Sequence, residues 1–582
     1  MPPGWLDETE LRIGLGCMRL STDENRDEEV ALETIAAALK AGVIVFDTAR
    51  AYGRGPDEMG HNECLLARGL RHSGMKRTAR IVTKGGMTRS VGGWIPDGRA
   101  KSIRGDCEAS LAALDGMPID LYLIHAPDPR TPWRTSVRAL ATLVDDGLVA
   151  RVGLANVSRS QLDEALALAP IAAVQVALSP NNDTAIRGGL VERCAKNGIA
   201  VIAHSPLGGP SRVPALARHQ VLADVARAHD ATPTEIALAW LLDVSPVVIP
   251  IPGARRPQSV RSAVRAARLR LGADDRAALA RAFGPSRRVQ VVRASPQEHA
   301  DVVLVMGVPG AGKSRLAADY VARGYRRLNR DERGGSLRGI ADALDRELES
   351  GARRVVLDNT WLTRAVRSRV IDAASKHRIA TRCVWLDITL AQAQVNVVER
   401  ILERFDLLPT PEELRVLAPR EPAMLSPTSQ MRALRELEPP SLDEGFAATE
   451  RVPFVRTPAP RRSRGGVFMA ATALTQPGWQ RALAKADPAA PHLVFDWKPD
   501  GGTDALAERV ARVAADVSGP VYGALCPHPA GPPVCWCRPP LPGLPLAFAR
   551  LHDIDPSRSS LVGSSPAHRT LAVTLGAHFI PV

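Results

Sequence analysis

From Arg12 to about Leu271 the chain alternates short apolar runs with longer segments whose apolar positions recur three or four residues apart. The runs read VIVFDTA, ARIVTKGG, DLYLIHA, RVGLANV, AAVQVAL, AVIAHSP and VVIPIPG. Short runs that are apolar on both faces fit parallel strands covered by helices, because a strand buried on both sides has no polar face to alternate. Seven such runs, with a weaker eighth near Arg268 to Leu271, predict an α/β chain that opens with a (β/α)8 barrel over residues 1–290. The stretch GPSRRVQVVRASPQEH, residues 284–299, breaks the pattern with Pro, Ser and Arg and reads as a linker.

A second α/β region opens on the strand DVVLVM and predicts a further α/β domain over 299–450. PFVRTPAPRRSRGG, residues 453–466, is a Pro/Arg segment that cannot hold regular structure and reads as a second linker. Beyond it, the runs GGVFMA, HLVFDW, GPVYGAL and SSLVG predict a small doubly wound α/β domain over 465–582.

Composition narrows this picture only a little. With 45% hydrophobic and 24% charged residues in a chain of 582, a mostly disordered or fibrous protein is excluded. The net charge of +13 invites a nucleic-acid partner, but only nine of the 75 basic residues are lysine, a skew that fits GC-rich coding as well as it fits a binding surface. Five of the eight cysteines are scattered singly, which excludes a disulfide scaffold and leaves a metal site open for the other three. No run reaches the roughly 18 apolar residues of a membrane span, and MPPGWLDETELRIGLG lacks the basic and apolar regions of a signal peptide, so a cytoplasmic protein without a membrane partner is expected.

Chemistry in a barrel of this kind sits at the C-terminal ends of the strands. Asp47 ends the first run, Tyr52 follows five residues later, Lys84 ends the second and His125 the third. Taken singly each has a bland reading as cap, core or snorkelling residue, but the chain holds only five tyrosines, and one falls among three other ionisable strand ends. Reducing a carbonyl requires a proton donor for the developing alkoxide. A phenol with a pKa of about 10 becomes useful when a buried cation lowers it. Lys84 is the candidate cation, Asp47 its anchor, and His125 the group that orients the carbonyl oxygen.

FDTARAYG, IVTKGG and DLYLIHAPDP together resemble the catalytic segments of the aldo/keto reductases over roughly residues 10–285. The resemblance implies reduction of a small carbonyl substrate by NADP(H), bound without a GxGxxG fingerprint. It places Asn156 and Gln175 against the nicotinamide carboxamide. HSPLGG, with Ser205 and Leu207, falls over the pyrophosphate, and IPGARRPQSVRSA, with Gly253, Arg255 and Arg256, at the 2'-phosphate.

GVPGAGKS follows DVVLVM and precedes the helical RLAADYVARGY, the strand, loop and helix context of a P-loop. Amides of the turn with Gly307, Gly310 and Gly312 face the phosphates of ATP, Lys313 reaches the β and γ oxygens, and the Ser314 hydroxyl binds Mg2+. RLNRDERGG and VVLDNTWLTR resemble segments of polynucleotide 5'-kinases. That resemblance implies Asp331 as general base, Asp358 and Asn359 lining the acceptor pocket, and Arg404 or Arg400 in NVVERILERF as a lid arginine. It also implies a 5'-hydroxyl end of RNA or DNA as acceptor.

Cys526, His528, Cys535 and Cys537 form C-x-H-x6-C-x-C, a donor set and spacing that can close a tetrahedral Zn2+ site. The motif resembles the zinc loop of haloacid-dehalogenase-like phosphatases. Ala470, Thr472, Pro539 and Ser564 stand where that resemblance requires two aspartates, a lysine and a further aspartate, so no phosphoaspartate can form. The expectation is an NADPH-dependent reductase joined to a kinase and an inactive phosphatase-like domain. Two alternatives stand beside it: a kinase of a small-molecule hydroxyl, and a nucleic-acid-binding regulatory protein whose barrel senses NADPH.

Overall fold

The computed structural model describes residues 5–7, 9–73, 79–90, 93–284, 300–418, 421, 424–453, 463–498, 503–529, 531 and 533–582. Most of both expected linkers, at 285–299 and 454–462, lies outside the described residues. The chain divides into two compact units, Met1–Arg288 and Val289–Val582.

The first unit is built on one eight-stranded parallel sheet, in the order Gly14–Gly16, Val45–Asp47, Arg80–Gly85, Leu121–Ile124, Val152–Ala155, Ile171–Ala177, Ala200–His204 and Val248–Pro250. The sheet closes where the Gly16 amide donates to the Pro252 carbonyl at 3.1 Å. Close approach of the first and last strands demands small residues: a Cβ on Gly14 would lie 2.9 Å from Ile251, and one on Gly16 2.8 Å from the Ile251 carbonyl. All seven expected runs are strands, but the eighth is Gly14–Gly16 rather than Arg268–Leu271. Arg268 instead ends the helix Pro257–Arg268, whose apolar residues Val260, Ala263 and Val264 pack on the outer core.

Two cores divide the barrel. Residues that alternate inward, among them Val45, Val82, Leu123, Ala173, Ile202 and Ile249, fill the interior with Trp5. The opposite faces, including Phe46, Ile81, Tyr122 and Val174, pack under the helices. Trp5 donates to Asp120 at 2.6 Å, just before the strand Leu121–Ile124, so it plugs the end where strands begin and leaves chemistry to the other end.

The second unit holds two five-stranded parallel sheets. The first runs Arg326–Leu328, Arg354–Asp358, Asp301–Met306, Ala380–Asp387, Ala448–Pro453, with helices between successive strands. The second runs Val521–Cys526, His492–Trp497, Val467–Ala470, Ser560–Gly563, His578–Pro581, the last being a strand beyond the four expected. A common apolar cluster joins the helix Leu390–Phe405 to the second sheet through Val398, Ile401, Phe468, Phe495 and Trp536.

Candidate functional site

Strand ends converge on Lys84, whose side chain is fully buried. Its ammonium donates to Asp47 Oδ1 at 2.8 Å, to the Thr48 carbonyl at 2.7 Å and to Tyr52 Oη at 3.2 Å. The loop that delivers Tyr52 is pinned by backbone bonds, Thr48 N to Val82 O and Arg50 N to Lys84 O, so the phenol's position follows from the sheet. Burial alone would lower the Lys84 ammonium, but Asp47 and Tyr52 outweigh it and raise the group above its ordinary value. For Tyr52 the balance runs against the expectation that Lys84 lowers its pKa. Burial raises the phenol, and Lys84 opposes the shift without reversing it.

His125 closes the third side. Burial, then Lys84 and His204, push its imidazole down to about 3, so it is neutral at physiological pH. Its Nδ1 is buried with no hydrogen-bond partner among the described residues. Asn156 and Gln175 join the same network: Gln175 donates to Asp47 Oδ1 at 2.6 Å, and Asn156 Nδ2 donates to the His125 carbonyl at 3.0 Å from a backbone with φ of 58°.

Two members of this site are not apparent from the sequence pattern. The hairpin of Met87–Ser90 with Gly93–Pro96 follows the Lys84 strand and carries Trp94, whose ring meets Tyr52 edge-on at 5.8 Å and His125 at 5.6 Å. The Arg89 guanidinium stacks on the same indole at 4.5 Å. His204, at the end of Ala200–His204, shares 3.2 Å with Asn156 Oδ1, and its ionisable character at a strand end is the signal that would have found it. Ser205 follows with a left-handed φ of 50°, and Leu207 is half-buried beside it. Gly253, Arg255 and Arg256 are exposed. Arg255 pairs with Asp23 at 2.9 Å, whereas Arg256 forms no ion pair among the described residues.

The phosphate loop in the second unit links Asp301–Met306 to the helix Lys313–Ala322. Gly310 has φ of 89°, and a Cβ there would lie 2.4 Å from the Ala393 carbonyl, so glycine is required twice over. Gly307 and Gly312 also have positive φ. Lys313 donates to the loop's own carbonyls, Gly307 O at 3.1 Å and Val308 O at 3.0 Å. Its ammonium is lowered to about 8 by burial, with Asp358 opposing. Ser314 is exposed at the helix start.

Asp331 lies on a one-turn helix, Arg330–Arg333, rather than in a loop, because Asn329 caps the turn by accepting from the Asp331 amide at 2.6 Å. Its carboxylate is exposed. Asp358 is buried and held by Arg327 and by Asn329 Nδ2 at 3.1 Å, while Asn359 Oδ1 accepts from the Arg330 amide at 3.2 Å. Of the two lid candidates, Arg404 is turned to Glu421 at 2.7 Å, and Arg400, one turn earlier, lies within electrostatic reach of both Asp331 and Lys313.

The ligand atoms of Cys526, His528, Cys535 and Cys537 all lie within 4.8 Å of one another. Cys526 Sγ is 3.7 Å from Cys535 Sγ and 3.5 Å from His528 Nδ1, and Cys537 Sγ is 3.2 Å from that nitrogen. Bonds of about 2.3 Å to sulfur and 2.0 Å to nitrogen in a tetrahedron separate ligand atoms by about 3.5–3.8 Å, so this donor set fits one Zn2+ ion. Ala470 is buried at the end of its strand, Thr472 is exposed, and the Ser564 amide donates to His568 Nδ1 at 3.2 Å. No carboxylate is supplied at positions 470, 472 or 564.

A model of the aldo/keto reductase family matches residues 12–282, and one described as an AAA domain matches 302–414. An uncharacterized oxidoreductase of Schizosaccharomyces pombe is 31% identical over 269 residues, covering 45% of this chain and 83% of the relative. A probable aldo-keto reductase of Glycine max is 30% identical over 293 residues, covering 45% and 83%. A solved aldo-keto reductase from Klebsiella pneumoniae in complex with NADPH is 24% identical and covers 48% of this chain and 92% of that one, with a TM-score of 0.41. The two curated relatives, together with the family model over residues 12–282, show that the chain belongs, through its first unit, to the aldo/keto reductase family.

Proposed function

We propose that the barrel reduces a small carbonyl compound with NADPH, with Tyr52 as proton donor. The observation that carries this reading is the direction of the bond between Lys84 and Tyr52. An ammonium can only donate, so at 3.2 Å the phenol oxygen accepts and its own proton is free to point toward a bound oxygen. Lys84 has three N–H groups and three acceptors, which fixes it in one orientation. Neutral His125 orients the carbonyl oxygen, and the phenol proton moves to that oxygen as negative charge develops. When bound, NADPH supplies the hydride. Asn156 holds the carboxamide end, Ser205 and Leu207 cover the pyrophosphate, and Arg256 reads the 2'-phosphate, because Arg255 is already engaged by Asp23. Gln175 buttresses Asp47 as well as facing the nicotinamide. Trp94 forms an apolar wall beside Tyr52, suited to a compact aldehyde. Saturable NADPH oxidation by the full chain across a panel of aldehydes and ketones tests the reading; no turnover with any of them would leave a cofactor-sensing barrel instead.

In the second unit we propose ATP-dependent phosphorylation of a 5'-hydroxyl polynucleotide end. Gly307, Gly310, Gly312 and Lys313 cradle the phosphates, Ser314 holds Mg2+ and Asp331 takes the acceptor's proton. Asp358 and Asn359 line the acceptor pocket, and Arg400 stabilises the transferring group more directly than Arg404. The shared reach of Lys313, Asp331 and Arg400 supports this reading. The phosphatase-like part binds Zn2+ through Cys526, His528, Cys535 and Cys537 and hydrolyses no phosphate ester. Labelled ATP offered with 5'-hydroxyl RNA, DNA and small alcohols tests the acceptor, and label appearing only on the alcohols would replace it with a small-molecule hydroxyl.

A further inference from the structure

Between two of the thiols in the cysteine and histidine cluster stands Trp536, whose side chain is completely buried. Its indole points out of the cluster's own module: Nε1 donates to the backbone carbonyl of Leu425 at 2.7 Å. Leu408 packs against the thiols themselves, and a Cβ on Gly543 would lie 3.1 Å from Leu408 and 2.4 Å from the Trp536 carbonyl. Arg550 pairs with Asp406 at 2.9 Å across the same seam. Thus the ligand loop meets the segment that follows the helix Leu390–Phe405 at two places, Leu408 through the thiols and Leu425 through Trp536.

That helix reaches the phosphate loop directly. Asn396 donates to the Gly310 carbonyl at 2.7 Å, and Gln430, just beyond Leu425, donates to the Pro309 carbonyl at 2.9 Å. Its opposite face, through Val398, Ile401 and Leu402, shares one apolar cluster with Trp536, Leu541 and Leu546. The helix also carries Arg400. One face of this helix therefore rests on the module read above as phosphatase-like but without its carboxylates.

We infer that the Cys526–Cys537 loop is a positioning element of the phosphate-transfer site, with Trp536 as the residue that locks the helix Leu390–Phe405 against the phosphate loop. The inference rests on the proposed metal and phosphotransfer readings, but its test needs neither to hold. Among its described residues the loop has little apolar burial beyond Trp536 and the cysteines themselves, so without bound metal Trp536 is its main anchor, and metal release and loss of the indole act on the same helix. A module that need not catalyse is then retained because the neighbouring site is incomplete without it.

The experiment is hydrogen exchange on the full chain, comparing the parental protein, the chelator-treated protein and Trp536→Ala, with Trp536→Phe to keep most of the packing and remove only the donor. Amides of Val397–Leu402 should exchange at least about tenfold faster in Trp536→Ala and after chelation, and by a smaller factor in Trp536→Phe, while barrel strands stay at parental rates. Phosphoryl transfer in metal-stripped protein resupplied with Mg2+ should fall while NADPH-dependent reduction in the same sample persists. Parental exchange rates in that helix, in protein whose cysteines have become reactive or in Trp536→Ala, would overturn the inference. Metal analysis that finds no zinc sinks the metal reading alone and leaves the Trp536 variants to decide; Trp536→Ala that fails to fold leaves chelation and Trp536→Phe to decide. A parental chain that transfers no phosphate sinks the kinase reading without touching the exchange result.

Discussion

Replacing Asp47 with asparagine separates the electrostatic part of the reductase site from its shape. Lys84 is fully buried and Asp47 nearly so, and the carboxylate accepts from both Lys84 at 2.8 Å and Gln175 at 2.6 Å. Removing one partner of a buried pair costs about 3–5 kcal/mol. The isosteric amide still offers one acceptor, so Asp47→Asn should destabilise the barrel by about 3 kcal/mol at neutral pH. The pH dependence has a definite sign. In the parental protein the folded-state pKa of Lys84 is raised above the unfolded value, so its contribution is complete below that value and is lost as pH rises through the folded one. In the variant the folded pKa falls, because burial is no longer countered by a carboxylate, and the unfolded chain then binds the proton more tightly. The deficit is therefore largest at neutral pH and shrinks as pH approaches the ordinary lysine value of about 10.4. Urea unfolding monitored by loss of NADPH binding, at pH 7 and at about pH 10, measures both. A loss below about 1 kcal/mol at pH 7, or one that does not shrink with pH, would refute the claim that Asp47 stabilises the fold as Lys84's counterion.

Arg256→Ala should weaken NADPH binding at least about tenfold with little change for NADH, and Arg255→Ala should do less, as cofactor titrations would show; equal losses for both cofactors would remove the 2'-phosphate assignment. Because burial lowers free Lys313 to about 8, binding MgATP above that pH requires proton uptake, so affinity should weaken by up to about tenfold per pH unit there and be flat below; calorimetry in two buffers reads the proton directly, and a flat profile through pH 9 contradicts the burial of that ammonium.

Much of the barrel was legible because its strands are buried on both faces and so read as unbroken apolar runs. The strand Gly14–Gly16 was hidden because closure of the barrel selects for absent side chains there, not for apolar ones. The hairpin bearing Trp94 was hidden for a related reason: apart from buried Met87, MTRS and GWIP are exposed or half-buried, so no alternation marks them, and only tertiary packing brings the indole against Tyr52. Arg400 and Arg404 sit one turn apart on one helix, a spacing that cannot say which faces Asp331. By contrast, the cysteine and histidine cluster was readable because its donors span twelve residues. Its seam with Leu408 and Leu425 depends on residues more than a hundred positions away.

The most direct test of the central claim, that Tyr52 donates the proton from a site preassembled by Lys84, is a pair of measurements on Tyr52→Phe: NADPH binding, and the rate of NADPH oxidation with saturating aldehyde. Loss of a positioned general acid removes about 10²–10⁴ in rate, so turnover should fall at least about a hundredfold while cofactor affinity stays at the parental value. Turnover within about threefold of the parental rate, with NADPH still bound, would contradict the account.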